Sequence, residues 1–170
     1  MREIFRHYAK CNAIINADMI QVLEESGGSA YDAVVDGFFK SVGEILDHTY
    51  VADLAWLTSF RSVRRFSIFE DPIFASPPDW SARKFVDLAS FKKGRTQLDA
   101  VFARLAEEID ESDLFGIVSR VTRAGDRQEK LFWKALVHVF NHQTHHRGQV
   151  SQILDQLKIK NDYSNMIRID

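Results

Sequence analysis

Four of the six histidines lie within nine residues, His138, His142, His145 and His146. Histidines four apart on a helix stand one turn apart on the same face, so their ring nitrogens can converge on one metal ion, the spacing of the zinc-binding His-x-x-x-His helix. His138 is seven or eight residues from His145 and His146, a rise of ~10 to 12 Å, too far for two ligands that each reach ~2.1 Å. Every workable pair therefore contains His142, and its partner is His138, His145 or His146. Two ligands on one helix make a weak site. A third must come from a neighbouring helix, and His48 is the only interior histidine outside the cluster.

Three neutral imidazoles leave a divalent ion with open positions for water or substrate, as in catalytic rather than closed structural sites. Imidazole donors suit zinc or nickel, whereas iron more often takes a carboxylate as well. Not all four clustered histidines can be ligands, so His138 and His145 are expected to line the cleft or support a ligand. His7 is expected at the surface. The single cysteine, Cys11, excludes an internal disulfide and a thiolate cage, so any metal must be held by nitrogen and oxygen.

The elements that position these residues read as helices. The chain has 170 residues, 45% apolar and 27% charged, the size and balance of one compact domain with a real core. Only 8 Gly and 3 Pro interrupt it, and all three prolines fall within 61–80, so long helices can run elsewhere. Apolar residues at three- and four-residue steps predict helices over about 3–25, 37–60, 82–109 and 128–157. Ile4, Tyr8, Cys11, Ile15 and Met19 mark the inward face of the first. Phe38, Val42, Ile45, Ala52 and Trp56 mark that of the second, with His48 on or beside the stripe. Asp79 or Ser81 is expected to cap the third. The β-branched run 114–122 and the turn-like Ala124-Gly125-Asp126 predict a short extended piece or hairpin before the fourth. Four long helices with one long connection define an all-α four-helix bundle. The aromatic connection 66–80 is expected as a pocket wall or a dimer surface.

The net charge of −2 offers no global attraction for nucleic acid or an anionic membrane. No stretch approaches the ~18 to 20 apolar residues of a membrane span. The first residues carry scattered charges and do not read as a signal peptide, so a cytoplasmic location is expected.

The run His142-Gln143-Thr144-His145-His146-Arg147-Gly148-Gln149, preceded by His138-Val139-Phe140-Asn141, resembles the signature of the DinB-like (YfiT-like) metalloenzyme family. The segment 43–57, in which His48 is followed by Asp53 and Trp56, resembles the family's second-helix motif. The opening Tyr8-Ala9-Lys10-Cys11-Asn12 is similar too, although Trp is commoner than Lys at position 10. The resemblance implies an up-down-down-up bundle, a homodimer, and one divalent metal ion on His48, His142 and His146. It also implies a reaction: relatives transfer a small thiol such as bacillithiol to an electrophile, or use mycothiol in isomerisation. The ion would activate the cosubstrate thiol, leaving Cys11 a small core residue.

No Glu follows His142 as in His-Glu-x-x-His, which counts against peptidase chemistry. Glu44, Asp47 and Asp53, near His48 on the second helix, are candidates to orient a ligand imidazole or to act as base, and Asp53 matches the family motif. Arg147 is expected beside the site, holding an anionic substrate group, or else as a plain solvated arginine or one paired with Asp53 or Glu44. Gly148 inside a helix costs ~1 kcal/mol relative to Ala, so a close helix contact or access to the metal cleft is expected to require it. The expected activity is thus a thiol S-transferase on small electrophiles. The alternatives are a metal-dependent hydrolase and a non-catalytic metal-binding stress protein.

Overall fold

The computed structural model describes residues 1–122, 124–163 and 165–169. It contains α1 (Arg2–Glu25), a short α2 (Ser29–Asp32), α3 (Val42–Ser59), α4 (Leu88–Glu108), a hairpin of β1 (Ile117–Val121) and β2 (Arg127–Leu131), and α5 (Phe132–Gln156). The four long helices form a bundle in which α1 and α3 each pack on both α4 and α5.

Side-chain pairs fix the direction of each helix. Arg6 near the start of α1 bridges Glu107 at the end of α4, and Glu24 at the end of α1 bridges Lys92 at the start of α4, so these two run antiparallel. Asp47 in α3 accepts from the backbone just before α4. Arg64, just past α3, pairs with Glu108 at the end of α4, so α3 and α4 run in parallel. Phe60 after α3 meets Phe132 at the start of α5. Tyr8 in α1 stacks on Phe140 in α5, and Asn12 bonds Arg147 further along both helices. The order is therefore up-down-down-up, as expected.

Three element boundaries differ from expectation. The second long helix begins at Val42, not near 37, because Ser41 caps it by accepting from the Glu44 backbone N–H at 3.2 Å. Phe38 consequently leaves the inward stripe and stands 91% exposed in the connection before α3. The third begins at Leu88, where Asp87 and Ser90 form a reciprocal capping box. Asp79 and Ser81 instead close a local turn on each other. The fourth begins at Phe132. Residues 128–131, expected as helix, pair with β1 in the register Ile117↔Leu131 to Val121↔Arg127, around a turn with Gly125 at φ +90°. Ile4, expected on the inward face of α1, is half exposed.

The long connection between α3 and α4 is largely stapled to the bundle. Phe66 and Ile68 are buried. Arg64 bonds Asp113 and Glu108, and Asp71 accepts from Gln97 and Arg104. Its later part carries Trp80 to the mouth of the bundle, where Asp47 accepts from the backbone N–H of Lys84 at 2.8 Å and of Phe85 at 2.9 Å. Cys11 is fully buried, as expected of a small core residue, and its Sγ lies 3.3 Å from His7 Nε2, on a residue exposed at the surface. Among the described residues no helix is long and apolar enough to cross a membrane.

A polar network threads the middle of this otherwise apolar core. Arg95, 2% exposed, donates to Asp53 at 2.6 Å and bridges Asp99 at 2.8 Å. Asp99 accepts from Asn12 and Asn16, whose side-chain oxygens accept from Arg147 in turn. Gln143 accepts from Asn16. The network draws on α1, α3, α4 and α5, and its two arginines and two aspartates sum to zero formal charge, the condition for burying charges together.

Candidate metal centre

His142 and His146 stand one turn apart on α5 and face His48 across the gap to α3. Ring centroids are 4.3 Å apart for His142 and His146, 4.9 Å for His48 and His146, and 5.4 Å for His48 and His142. One ligand nitrogen from each lies within 4.8 Å of the others. The Nε2 atoms of His142 and His146 are 3.0 Å apart. Two nitrogens bound at ~2.1 Å to one ion stand ~3 to 3.5 Å from each other, so the pair fits an ion with little adjustment.

The donor states fit as well. Gln149, one turn beyond His146, places its side-chain oxygen 2.7 Å from His146 Nδ1. An amide oxygen can only accept, so Nδ1 carries the proton and Nε2 presents its lone pair to the other two rings. Burial, with the neighbouring imidazoles, pushes His142 down to about 3. Burial pushes His146 down to about 4, against the opposing bond to Gln149. Both are therefore neutral at pH 7, as metal binding requires. His142 Nδ1 is buried without a hydrogen-bond partner, so the pair alone does not satisfy its own polar atoms.

The other two histidines of the cluster sit to either side. His138 is exposed, its ring 5.9 Å from His142, and packs on Trp56 at 4.9 Å. His145 is exposed with its ring 5.0 Å from His146. Phe39 covers the site, 5.0 Å from His48 and 5.7 Å from His146. Trp80 closes the far side of His48 at 5.8 Å, so the aromatic connection does supply a pocket wall. Phe39 and Gln149 were invisible as site residues in the sequence. Gln149 alone left a trace, its i+3 spacing from His146.

The carboxylates and Arg147 are engaged elsewhere. Glu44 accepts from the Lys40 backbone N–H, and Asp47 holds the backbone at 84 and 85. Asp53 and Arg147 belong to the buried network, where Arg147 bonds Asn12 and Asn16. Burial pushes the Asp53 carboxyl up to about 7, with Arg95 pulling the other way, and burial lowers Arg147 to about 10. Gly148 makes no close helix contact: a Cβ added there would meet nothing within 4 Å. It borders a cleft instead.

One cleft reaches His48 of the converging histidines, and a second reaches only the outlying His145. The first, of ≈ 360 Å³, runs past His48 between Trp80, Val51 and Phe39. The second, of ≈ 420 Å³, lies between 35–39 and α5, bordered by His145, Gly148 and Gln149. Phe38 and Phe39 line both and form the partition.

A helical bundle with three imidazoles converging from two helices, beneath an aromatic cover, defines a protein able to hold a divalent ion with positions left open. Residues 1–160 match the model of the DinB family, and the chain belongs to that family. No curated protein and no solved structure matches it.

Proposed function

We propose that the chain is a metal-dependent thiol S-transferase, with one zinc or nickel ion on His48, His142 and His146. The observation that carries this reading is the convergence of three imidazole nitrogens within 4.8 Å, two of them on rings held neutral at pH 7 by burial. When bound, such an ion supplies an open coordination position that acidifies a thiol or a water.

The chain's own residues favour a thiol over water. Activating water for hydrolysis calls for a nearby base, and all three carboxylates that line the His48 cleft, Glu44, Asp47 and Asp79, already accept from backbone N–H groups. A thiol, with an ordinary pKa near ~8.5, needs far less help to ionise. In the reaction the thiol sulfur forms a bond to the electrophilic carbon, the bond to the leaving group breaks, and the thiol proton and leaving group pass to solvent. Phe39 and Trp80 exclude water from the reacting atoms, and Gln149 keeps the His146 lone pair aimed at them.

Two measurements test the reading. Elemental analysis of untagged protein should find about one zinc or nickel per chain in the wild type and none in His142→Ala. Metal-loaded protein should then conjugate a low-molecular-weight thiol to an activated aryl or alkyl halide faster than free zinc does. A wild type that retains no ion after zinc or nickel is added and the excess removed sinks the metalloenzyme reading. A loaded protein without thiol turnover leaves a metal-binding protein.

A further inference from the structure

Between His146 and the buried polar network the core keeps a small cavity, with ≈ 10 Å³ open to the centre of a water molecule and Gln143, Arg95 and Thr49 on its wall. That is room for about one water and nothing larger. We propose that this cavity is a binding site for a single water molecule. The water accepts from Gln143 Nε2 and Arg95 Nε, donates to Thr49 Oγ1, and so ties the turn of α5 that carries His142 and His146 to α3 and α4.

Three side chains carry this. Gln143, 1% exposed, accepts from Asn16 through its side-chain oxygen at 3.4 Å, which orients the carboxamide and leaves Nε2 buried with no partner. Arg95 reaches Asp53 through Nη1 and Asp99 through Nη2, and keeps a buried Nε–H with no partner. A buried donor left unmatched is costly and rare, and these two belong to residues that border one cavity. Thr49 gives its hydroxyl proton to the Ile45 carbonyl at 2.8 Å, so towards the cavity its oxygen can only accept. Two donors and one acceptor make up the three bonds of a typical buried water. An anion could not use the acceptor, and the charge of Arg95 is already matched by Asp53 and Asp99. Gln143 stands in the chain between the two α5 ligands, so the bridge holds their turn from inside the core.

The test is a pair of water-selective NOE and ROE spectra on ¹⁵N-labelled full-length protein. The side-chain NH₂ of Gln143 and the Nε–H of Arg95 should both show cross-peaks at the water frequency, with the NOE sign of a molecule that tumbles with the protein. In Gln143→Leu the Arg95 cross-peak should vanish, whereas a signal relayed from the Thr49 hydroxyl would persist. Exchanging chloride for sulfate in the buffer should change neither peak. Thr49→Val keeps the shape of the side chain and removes the acceptor, while the lost bond to Ile45 is no support to a helix. It should lower Tm by about 2 to 4 °C, where a dry cavity would leave Tm unchanged or raised. Missing cross-peaks in the wild type, a persisting Arg95 peak in Gln143→Leu, a dependence on the anion, or a Tm that does not fall in Thr49→Val overturns the water site. The spectra are read on metal-stripped and on zinc-treated protein, so a chain that binds no metal refutes the proposed function and not the water site.

Discussion

Gln149 decides which nitrogen of His146 faces the other two imidazoles. Replacing such a partner typically costs ~10 to 100-fold in metal affinity, so Gln149→Ala should lose the ion to a competing chelator well before the wild type does. His48→Ala and His142→Ala should bind none, whereas His138→Ala and His145→Ala should keep it, as elemental analysis can show. The metal-free protein should also respond to acid. His142 and His146 sit at about 3 and about 4 when folded, below the ~6.5 of an unfolded chain. Between those values the unfolded state binds more protons, so stability conferred by the neutral rings is present above ~6.5 and lost as pH falls towards 4. Asp53, raised to about 7, acts in the opposite direction. The check is therefore a difference: denaturant midpoints followed from pH 7 to 4 should fall less in His142→Ala than in the wild type. At this scale the sequence was legible up to a point. Spacing named His142 and the interior His48, while the choice of His146 over His138 and His145 rested on the family resemblance. That choice depends on which way α5 is turned, and rotation about a helix axis is a tertiary property. Phe39 becomes a site residue only once the chain between α2 and α3 folds over α5, whereas Gln149 takes its role within α5 itself, three residues beyond His146.

Among the elements, the two ends of the second long helix behave differently. Its start is marked by Ser41-Val42-Gly43-Glu44, the pattern Ser-x-x-Glu of a capping box, but Phe38 falls by coincidence in phase with Val42 and Ile45 and extends the apparent periodicity by a turn. The same competition blurs α4, where Asp79 and Asp87 both precede a serine; only Asp87 has it at the third position, where it can return the bond. Residues 127–131 are good helix formers that pair as a strand, because partners on β1 override local propensity. Ser41→Ala should lower stability by about 1 kcal/mol in denaturant titrations. Asp47 should matter more. It holds the backbone at 84 and 85, and charge-assisted bonds contribute ~1.5 to 3 kcal/mol each. Asp47→Ala should therefore destabilise the protein by more than Ser41→Ala does, and hydrogen exchange should speed up selectively over 79–85.

For the whole molecule, the central question is why an apolar bundle buries four charges. Apolar faces alone permit neighbouring helices to slide by a turn, since leucine meets leucine in either register. A network that takes Asn12 and Asn16, Asp53, Arg95 and Asp99, and Arg147 from four different helices accepts one register only, and so keeps His48 level with His142 and His146. Sequence reasoning drew Asp53 and Arg147 towards the histidines and passed over Arg95 and Asp99, because the partners of the network lie up to 135 positions apart. Arg95→Met removes the cation between two buried carboxylates and should cost ~3 to 5 kcal/mol of folding stability, read from chemical denaturation. Breaking the register should loosen metal binding as well, although Arg95 is not among the three histidines.

Trp80 stands 5.8 Å from His48, against the outer wall of the metal site. An indole that close is an optical reporter fixed in place by the fold. A paramagnetic ion such as nickel(II) should quench its emission on binding, and zinc(II), with a filled d shell, should leave it nearly as bright. The protein can therefore report in a cuvette both that its site has filled and which of the two ions has filled it, and Trp80→Phe should silence that signal while Trp56 and Trp133 go on fluorescing.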